Sequence, residues 1–112
     1  MKINILLPFK EKFDRNRASS VSITVKNNLN YSKYLNNIEI FGQQTNKPFF
    51  QKNFQGIKYS FFSFKSKNHY LADQMLKVMT KNNDKNQIIE IHNRPYLLDF
   101  IYKKTNRFPI SL

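Results

Sequence analysis

The sequence predicts an α/β fold, a Rossmann-like open and mainly parallel sheet with helices on both faces, in the order β-α-β-β-α-β-α-β. Three observations predict it. Short apolar runs at residues 2–7, 38–41 and 88–91 read as strands, the first almost continuous and so buried on both faces. Segments with apolar residues at helical spacing stand between most of the strands, which implies right-handed crossovers and parallel pairing. The chain has 112 residues, 40% of them hydrophobic and 15% aromatic, which suits one domain with a single core and argues against disorder.

The elements follow in order. Residues 2–7 form the first strand, and Pro8, which has no amide hydrogen for a sheet ladder, ends it. Residues 10–17 are a polar loop. Val21, Val25 and Leu29 then predict a helix over residues 18–35 with Ser19 or Ser20 as its N-cap, although residues 21–25 also alternate as a strand does. Residues 38–41 read as a short strand ended by Gly42. Residues 43–56, with Asn46, Pro48, Asn53 and Gly56, read as a connecting loop, and residues 57–62 as a third strand. Leu71, Met75, Val78 and Met79 share one helical face, and that second helix stops at Asn82 and Asn83. Its methionines are read as core filling. Residues 88–91 are a fourth strand. Pro95 opens a third helix, with Leu97, Leu98, Ile101 and Tyr102 facing inward and Lys103 and Lys104 at the negative end of its dipole. Residues 108–112 begin a fifth strand with no turn after it, so the domain is expected to continue past Leu112.

Nineteen Lys and Arg stand against seven Asp and Glu, a net charge of +12. Such a balance favours anionic partners: nucleic acid, phosphorylated ligands or an anionic membrane face. The basic residues are nevertheless spread along a chain rich in Lys, Asn, Ile and Phe, with no basic arm, so the charge reads equally well as compositional. There is no Cys, which excludes disulfides and thiolate metal sites, and two His do not predict a dedicated transition-metal site. The opening apolar run is too short for a membrane span and lacks signal-peptide features, so a cytoplasmic protein is expected, either soluble or peripheral at a membrane.

In open α/β sheets ligands bind beyond the carboxyl ends of the strands, where strand order reverses. With strand 4 beside strand 1, the flanking segments are residues 8–20 and residues 92–95. His92 can act as acid, base or hydrogen-bond donor near neutral pH and is the candidate catalytic residue. Asn93 offers a donor and an acceptor for sugar hydroxyls. Arg94 stands against the dipole at a helix start, a placement that an anion bound there would explain. The plainer alternative is a satisfied histidine at a strand end with Asn93 capping a helix. The loop after strand 1 adds Lys10, Lys12, Arg15 and Arg17 before Ser19 and Ser20. No GxGxxG follows strand 1 and no GxxxxGK[ST] occurs, so dinucleotide-redox and P-loop readings lose their support. His69 is expected to face solvent, and nothing marks Glu39 and Glu90 as a catalytic carboxylate pair. An acidic cluster of the response-regulator kind is also missing after strand 1.

The opening residues Lys2-Ile3-Asn4-Ile5-Leu6-Leu7-Pro8, the long loop into a helix, and above all Glu90-Ile91-His92-Asn93-Arg94-Pro95 resemble the N-terminal domain of family 4 glycosyltransferases of bacterial surface-glycan synthesis. The resemblance implies a GT-B enzyme of two Rossmann-like domains, in which residues 1–112 are an incomplete acceptor-side domain. It implies metal-independent, retaining transfer from a nucleotide-sugar, as co-substrate and with no cofactor, to a lipopolysaccharide or other glycan acceptor. Pro8, Ser19, Ser20, His92, Asn93 and Arg94 then border the cleft. Many members carry a glycine pair after strand 1; the nearest match here is Ser19-Ser20. A family histidine follows the fifth strand, beyond Leu112, and the donor-binding domain is missing, so the fragment alone is expected to be inactive. A different class of reading is a free-standing basic α/β module that binds nucleic acid, against which stands the lack of a clustered basic stripe or an RNA-binding motif.

Overall fold

The computed structural model describes residues 1–30, 35–49, 52–59, 66–82, 86–92, 94–105 and 107–111. The elements are β1 (Lys2–Leu6), α1 (Ser20–Asn30), a single 3₁₀ turn (Leu35–Asn37), β2 (Ile38–Gln43), β3 (Phe54–Ile57), α2 (Lys67–Lys81), β4 (Gln87–Ile91), α3 (Tyr96–Lys104) and β5 (Ile110–Ser111). The five strands form one all-parallel sheet in the order β3-β2-β1-β4-β5. This is the Rossmann-like α/β architecture that the strand and helix pattern predicts. β1 is central, with Ile5 opposite Ile40 on one side and Glu90 on the other. The sheet grows one way from β1 to β2 and the other way from β4, so the carboxyl ends of β1 and β4 flank the switch point.

Strand alternation divides the core between the two faces. On one face Leu6, Phe41, Ile89 and Ile91 pack beneath α2, through Leu71, Met75 and Met79, and α3, through Leu97 and Ile101. On the other, Ile5, Leu7, Ile38 and Ile40 pack beneath α1, through Val25 and Leu29, together with the loop residue Phe13. The buried polar residues at the amino edge are mutually satisfied: Asn4 Nδ2 donates to Gln87 Oε1 (3.1 Å), and Gln87 Nε2 donates to the Met79 carbonyl (3.1 Å). That chain ties β1, β4 and the end of α2 together, as buried amides require.

Several details differ from the sequence expectations, among them Gly42, which lies inside β2 (Ile38–Gln43) rather than ending the strand. The third strand is Phe54–Ile57, not residues 57–62, of which 60–62 lie outside the described residues. Gly56, read as a loop residue, is inside it. A Cβ there would come within 3.0 Å of the Gln44 Cα, so this glycine marks a close backbone approach rather than a turn. α1 begins at Ser20 and is assigned to Asn30; residues 31–34 of the expected helix lie outside the described residues. In α3 only Leu97 and Ile101 turn inward and are fully buried, whereas Leu98 and Tyr102 are 37% and 61% exposed. A nine-residue helix lying beside α2 buries one i, i+4 stripe, and Leu98 and Tyr102 occupy the next stripe round. The described part of the last strand is Ile110–Ser111, paired with β4, and Leu112 lies outside the described residues.

Candidate functional site

All three helices follow strands of a parallel sheet, so their N-termini lie at its carboxyl edge. The loop after β1 organises that edge. Leu7 and Pro8 are buried behind it, and the Glu11 amide donates to the Pro8 carbonyl (3.0 Å), closing a tight turn. Lys10, third in that turn, has φ 78°, the left-handed conformation that a glycine would adopt without cost. The Phe9 amide donates to Asn68 Oδ1 (2.6 Å), and Asn68 Nδ2 donates to the Tyr96 hydroxyl (2.8 Å), so one side chain joins this loop to the starts of α2 and α3.

Further on, the same loop is stitched to the segment after β2. Phe13 is buried between Phe49, edge-on at 5.0 Å, and Phe54, stacked at 5.6 Å. Asp14 accepts from the amides of Asn16 (2.7 Å) and Arg17 (3.1 Å) and from the Thr45 hydroxyl. These donors, the Thr45 hydroxyl foremost, hold its carboxyl below the ordinary aspartate range. The Arg15 amide donates to the Lys47 carbonyl (2.9 Å), and Asp14 pairs with Pro48 as an antiparallel bridge.

The loop ends in the cap of α1. Ser19 Oγ accepts the Ser22 amide (3.1 Å), which makes Ser19 the N-cap and leaves Ser20 as the exposed first residue of the helix. One turn on, Thr24 Oγ1 donates to the Ser20 carbonyl (2.9 Å). Across the switch point, the His92 amide reaches the Leu6 carbonyl (3.4 Å) as β4 ends. Glu90 and His92, two apart along β4, project to the same side, the α1 side. His92 Nε2 lies 3.4 Å from Glu90 Oε1, closed off from water and not aligned with another acceptor. The imidazole holds the Glu90 carboxyl below the ordinary glutamate range, against the opposing effect of partial burial. Ser20, Val21, Thr24 and His92 line one cleft of about 240 Å³.

Of the residues singled out in the sequence, Ser20 and His92 therefore meet. Ser19 supports the same helix from its cap, and Pro8 lies buried at the end of the central strand. Arg94 is half-buried before the N-cap Pro95, its carbonyl accepting the Leu97 amide (3.1 Å) at the entry to α3. Asn93 lies outside the described residues. His69 does not face open solvent: it is half-buried, stacked on Phe100 at 4.3 Å and edge-on to Tyr96 at 5.8 Å.

The sequence reading missed Thr24 and the pairing of Glu90 with His92. The two-residue period of a strand was the available signal for the pair. It also missed a hollow of about 610 Å³ at the carboxyl edge beyond β2 and β3, lined by Lys12 and Arg17 from the first loop with Gln43, Lys47, Lys58 and Tyr59. Its lining stands beyond β2 and β3, away from the switch point between β1 and β4 that strand order singles out. Among the described residues no group of three or more His, Cys, Asp or Glu is placed to hold a metal ion, and no helix is long and apolar enough to cross a membrane.

Searches of protein-family models, curated proteins and solved structures return no match to this chain. Its class is defined by the fold, an open all-parallel α/β sheet.

Proposed function

We propose that this chain is the acceptor-side Rossmann-like domain of a retaining glycosyltransferase, one that moves a sugar from a nucleotide-sugar donor to a lipopolysaccharide or other surface-glycan acceptor. The observation that carries the reading is the meeting of Ser20, Thr24 and His92 at the switch point between β1 and β4. Hydroxyls and an imidazole beside Val21 at a helix start suit the hydroxyls and apolar ring face of a sugar. The strand-4 segment Glu90-Ile91-His92-Asn93-Arg94-Pro95 supports the same reading. In it His92 and Asn93 contact sugar hydroxyls and Arg94 an anionic group. The donor is held by a second domain, and the positive charge favours an anionic membrane face.

Titration of the labelled chain with a hexose oligosaccharide, followed by amide NMR, tests the proposal. The expected result is saturable shifts at Ser20, Thr24 and His92, with no sugar transfer by the chain alone when UDP-glucose is added. Transfer by this chain alone would sink the idea that a second domain is needed. Steeply salt-dependent binding of a single-stranded oligonucleotide, with no oligosaccharide shifts, would replace the proposal with the nucleic-acid reading.

A further inference from the structure

The cleft between the start of α1 and the end of β4 is lined by Ser20, Val21, Thr24 and His92, and among the described residues no Lys, Arg or carboxylate joins that lining. What it recognises is therefore set by the direction of its hydrogen bonds more than by charge. Two of its polar groups have a hydrogen committed elsewhere. Thr24 Oγ1 donates to the Ser20 carbonyl (2.9 Å), so toward the cleft this hydroxyl offers only lone pairs. His92 sets Nε2 against Glu90 Oε1 at 3.4 Å, closed off from water, and so lines the cleft with the part of its ring turned away from Glu90.

A neutral imidazole carries one ring hydrogen, and the partner of one nitrogen decides which nitrogen holds it. An ionised carboxylate only accepts, so Glu90 draws that hydrogen to Nε2. The carboxyl is held below the ordinary glutamate range, which keeps it ionised. Nδ1 is then left with its lone pair, and it has no hydrogen-bond partner among the described residues. The cleft thus presents Thr24 Oγ1 and His92 Nδ1 as acceptors beside the exposed Ser20 hydroxyl, which can turn either way. At its rim the first amides of α1, those of Ser20 and Val21, supply donors. A ligand hydroxyl both gives and accepts, so it matches the two kinds of group at once. A phosphate or carboxylate could take the amides, but it would face the two lone pairs with the Glu90 charge behind them. Val21 adds an apolar contact suited to the face of a sugar ring.

We infer that this cleft selects an uncharged polyol by hydrogen-bond polarity: ligand hydroxyls donate to His92 Nδ1 and Thr24 Oγ1, and Glu90 is the positioning residue that leaves the His92 lone pair facing the ligand. The inference rests on the sugar-binding reading of the same cleft and narrows it. The group bound here is an unphosphorylated sugar ring, and any anionic part of the acceptor lies outside the cleft.

Amide and imidazole NMR at pH 8 tests it, with maltotriose, permethylated maltotriose and glucose 1-phosphate as probes. Permethylation keeps the sugar oxygens as acceptors and removes every hydroxyl donor. Maltotriose should shift Ser20, Thr24 and His92 saturably, and the other two probes should bind there on the order of tenfold more weakly. Thr24→Val removes the acceptor at nearly constant shape and should weaken maltotriose several-fold, whereas Thr24→Ser keeps it and should stay within about twofold. In the unliganded chain, the ring nitrogen shifts of His92 should show Nε2 protonated and Nδ1 bare. Glu90→Gln, whose amide can donate to Nε2, should raise the fraction protonated at Nδ1 and weaken maltotriose several-fold. A carboxylate that only supported the fold would leave that tautomer unmoved, and an unmoved tautomer overturns the role given to Glu90. Permethylated maltotriose or glucose 1-phosphate binding as well as maltotriose would overturn the selectivity and leave the sugar-transfer reading standing. Absence of any maltotriose shift at Ser20, Thr24 and His92 would overturn both.

Discussion

Beneath α2 and α3, the sheet meets two helices that present only apolar side chains, with Leu71, Ala72, Met75, Leu97 and Ile101 fully buried. Beneath α1, the same strands meet one helix with a serine, Ser22, buried in its first turns, and part of the covering comes from loop aromatics, Phe13, Phe49 and Phe54. On that side β4 is only partly covered: Ile88 and Glu90 are half-buried, and Ser111 opposite Glu90 is exposed. One face is built for cohesion. The other combines weaker cohesion with the loops and side chains that line both hollows, which is where a domain places its binding groups.

The contrast predicts unequal responses to the same cavity. Leu71→Ala, in the middle of α2, should cost about 3–4 kcal/mol, since the site is enclosed by two helices and the sheet and cannot collapse. Leu29→Ala, near the end of α1, should cost about 2 kcal/mol, because the last turn of a helix can shift to fill the space. Urea unfolding of the two variants checks this. Equal costs, or a larger one at Leu29, would mean the α1 face is as well packed as the other.

A smaller effect isolates the start of α1. Ser19→Ala removes the acceptor for the Ser22 amide and should cost about 1 kcal/mol. Ser20→Ala removes no cap and should cost only a few tenths, or nothing, as an exposed helix position filled by the best helix former. Thermal unfolding of the two single variants reads the difference. Reversed effects would move the cap by one residue and turn Ser19, rather than Ser20, toward the cleft.

Most of the fold was legible because strands buried on both faces and helices with one apolar stripe write different periods. The run at residues 2–7 and the spacing of Leu71, Met75 and Met79 are such cases. β3 was misplaced because its pairing with β2 depends on a glycine that fits against Gln44, a tertiary contact with no local period. The inward stripe of α3 was drawn too wide because the sequence shows which residues are apolar and not how many neighbours the helix will have. The convergence of Ser20 with His92 follows from topology and could be argued from strand order. The hollow lined by Lys12, Lys47 and Lys58 could not, since it requires knowing that the loop after β1 folds over β2 rather than toward β4.

The Glu90–His92 pair gives the smallest effect and tests whether the open side of β4 is organised at all. Glu90 has its carboxyl held below the ordinary range in the fold, so in the window below about pH 4 the unfolded chain binds more protons than the folded one. Stability therefore rises with pH through that window, and the contribution is lost as acid protonates the folded carboxylate. The side chain is about a third exposed, at 36%, so solvent screens the contact and the effect stays modest. Unfolding by urea between pH 3 and pH 7 should show a shallower acid limb for Glu90→Gln than for wild type, with the Asp14 contribution common to both. His92→Gln removes the imidazole that lowers the carboxyl and should flatten the same limb, and the double variant should add little to either. An acid limb unchanged in Glu90→Gln would show that the two side chains do not interact in solution, leaving His92 free to turn into the cleft beside Ser20 and Thr24.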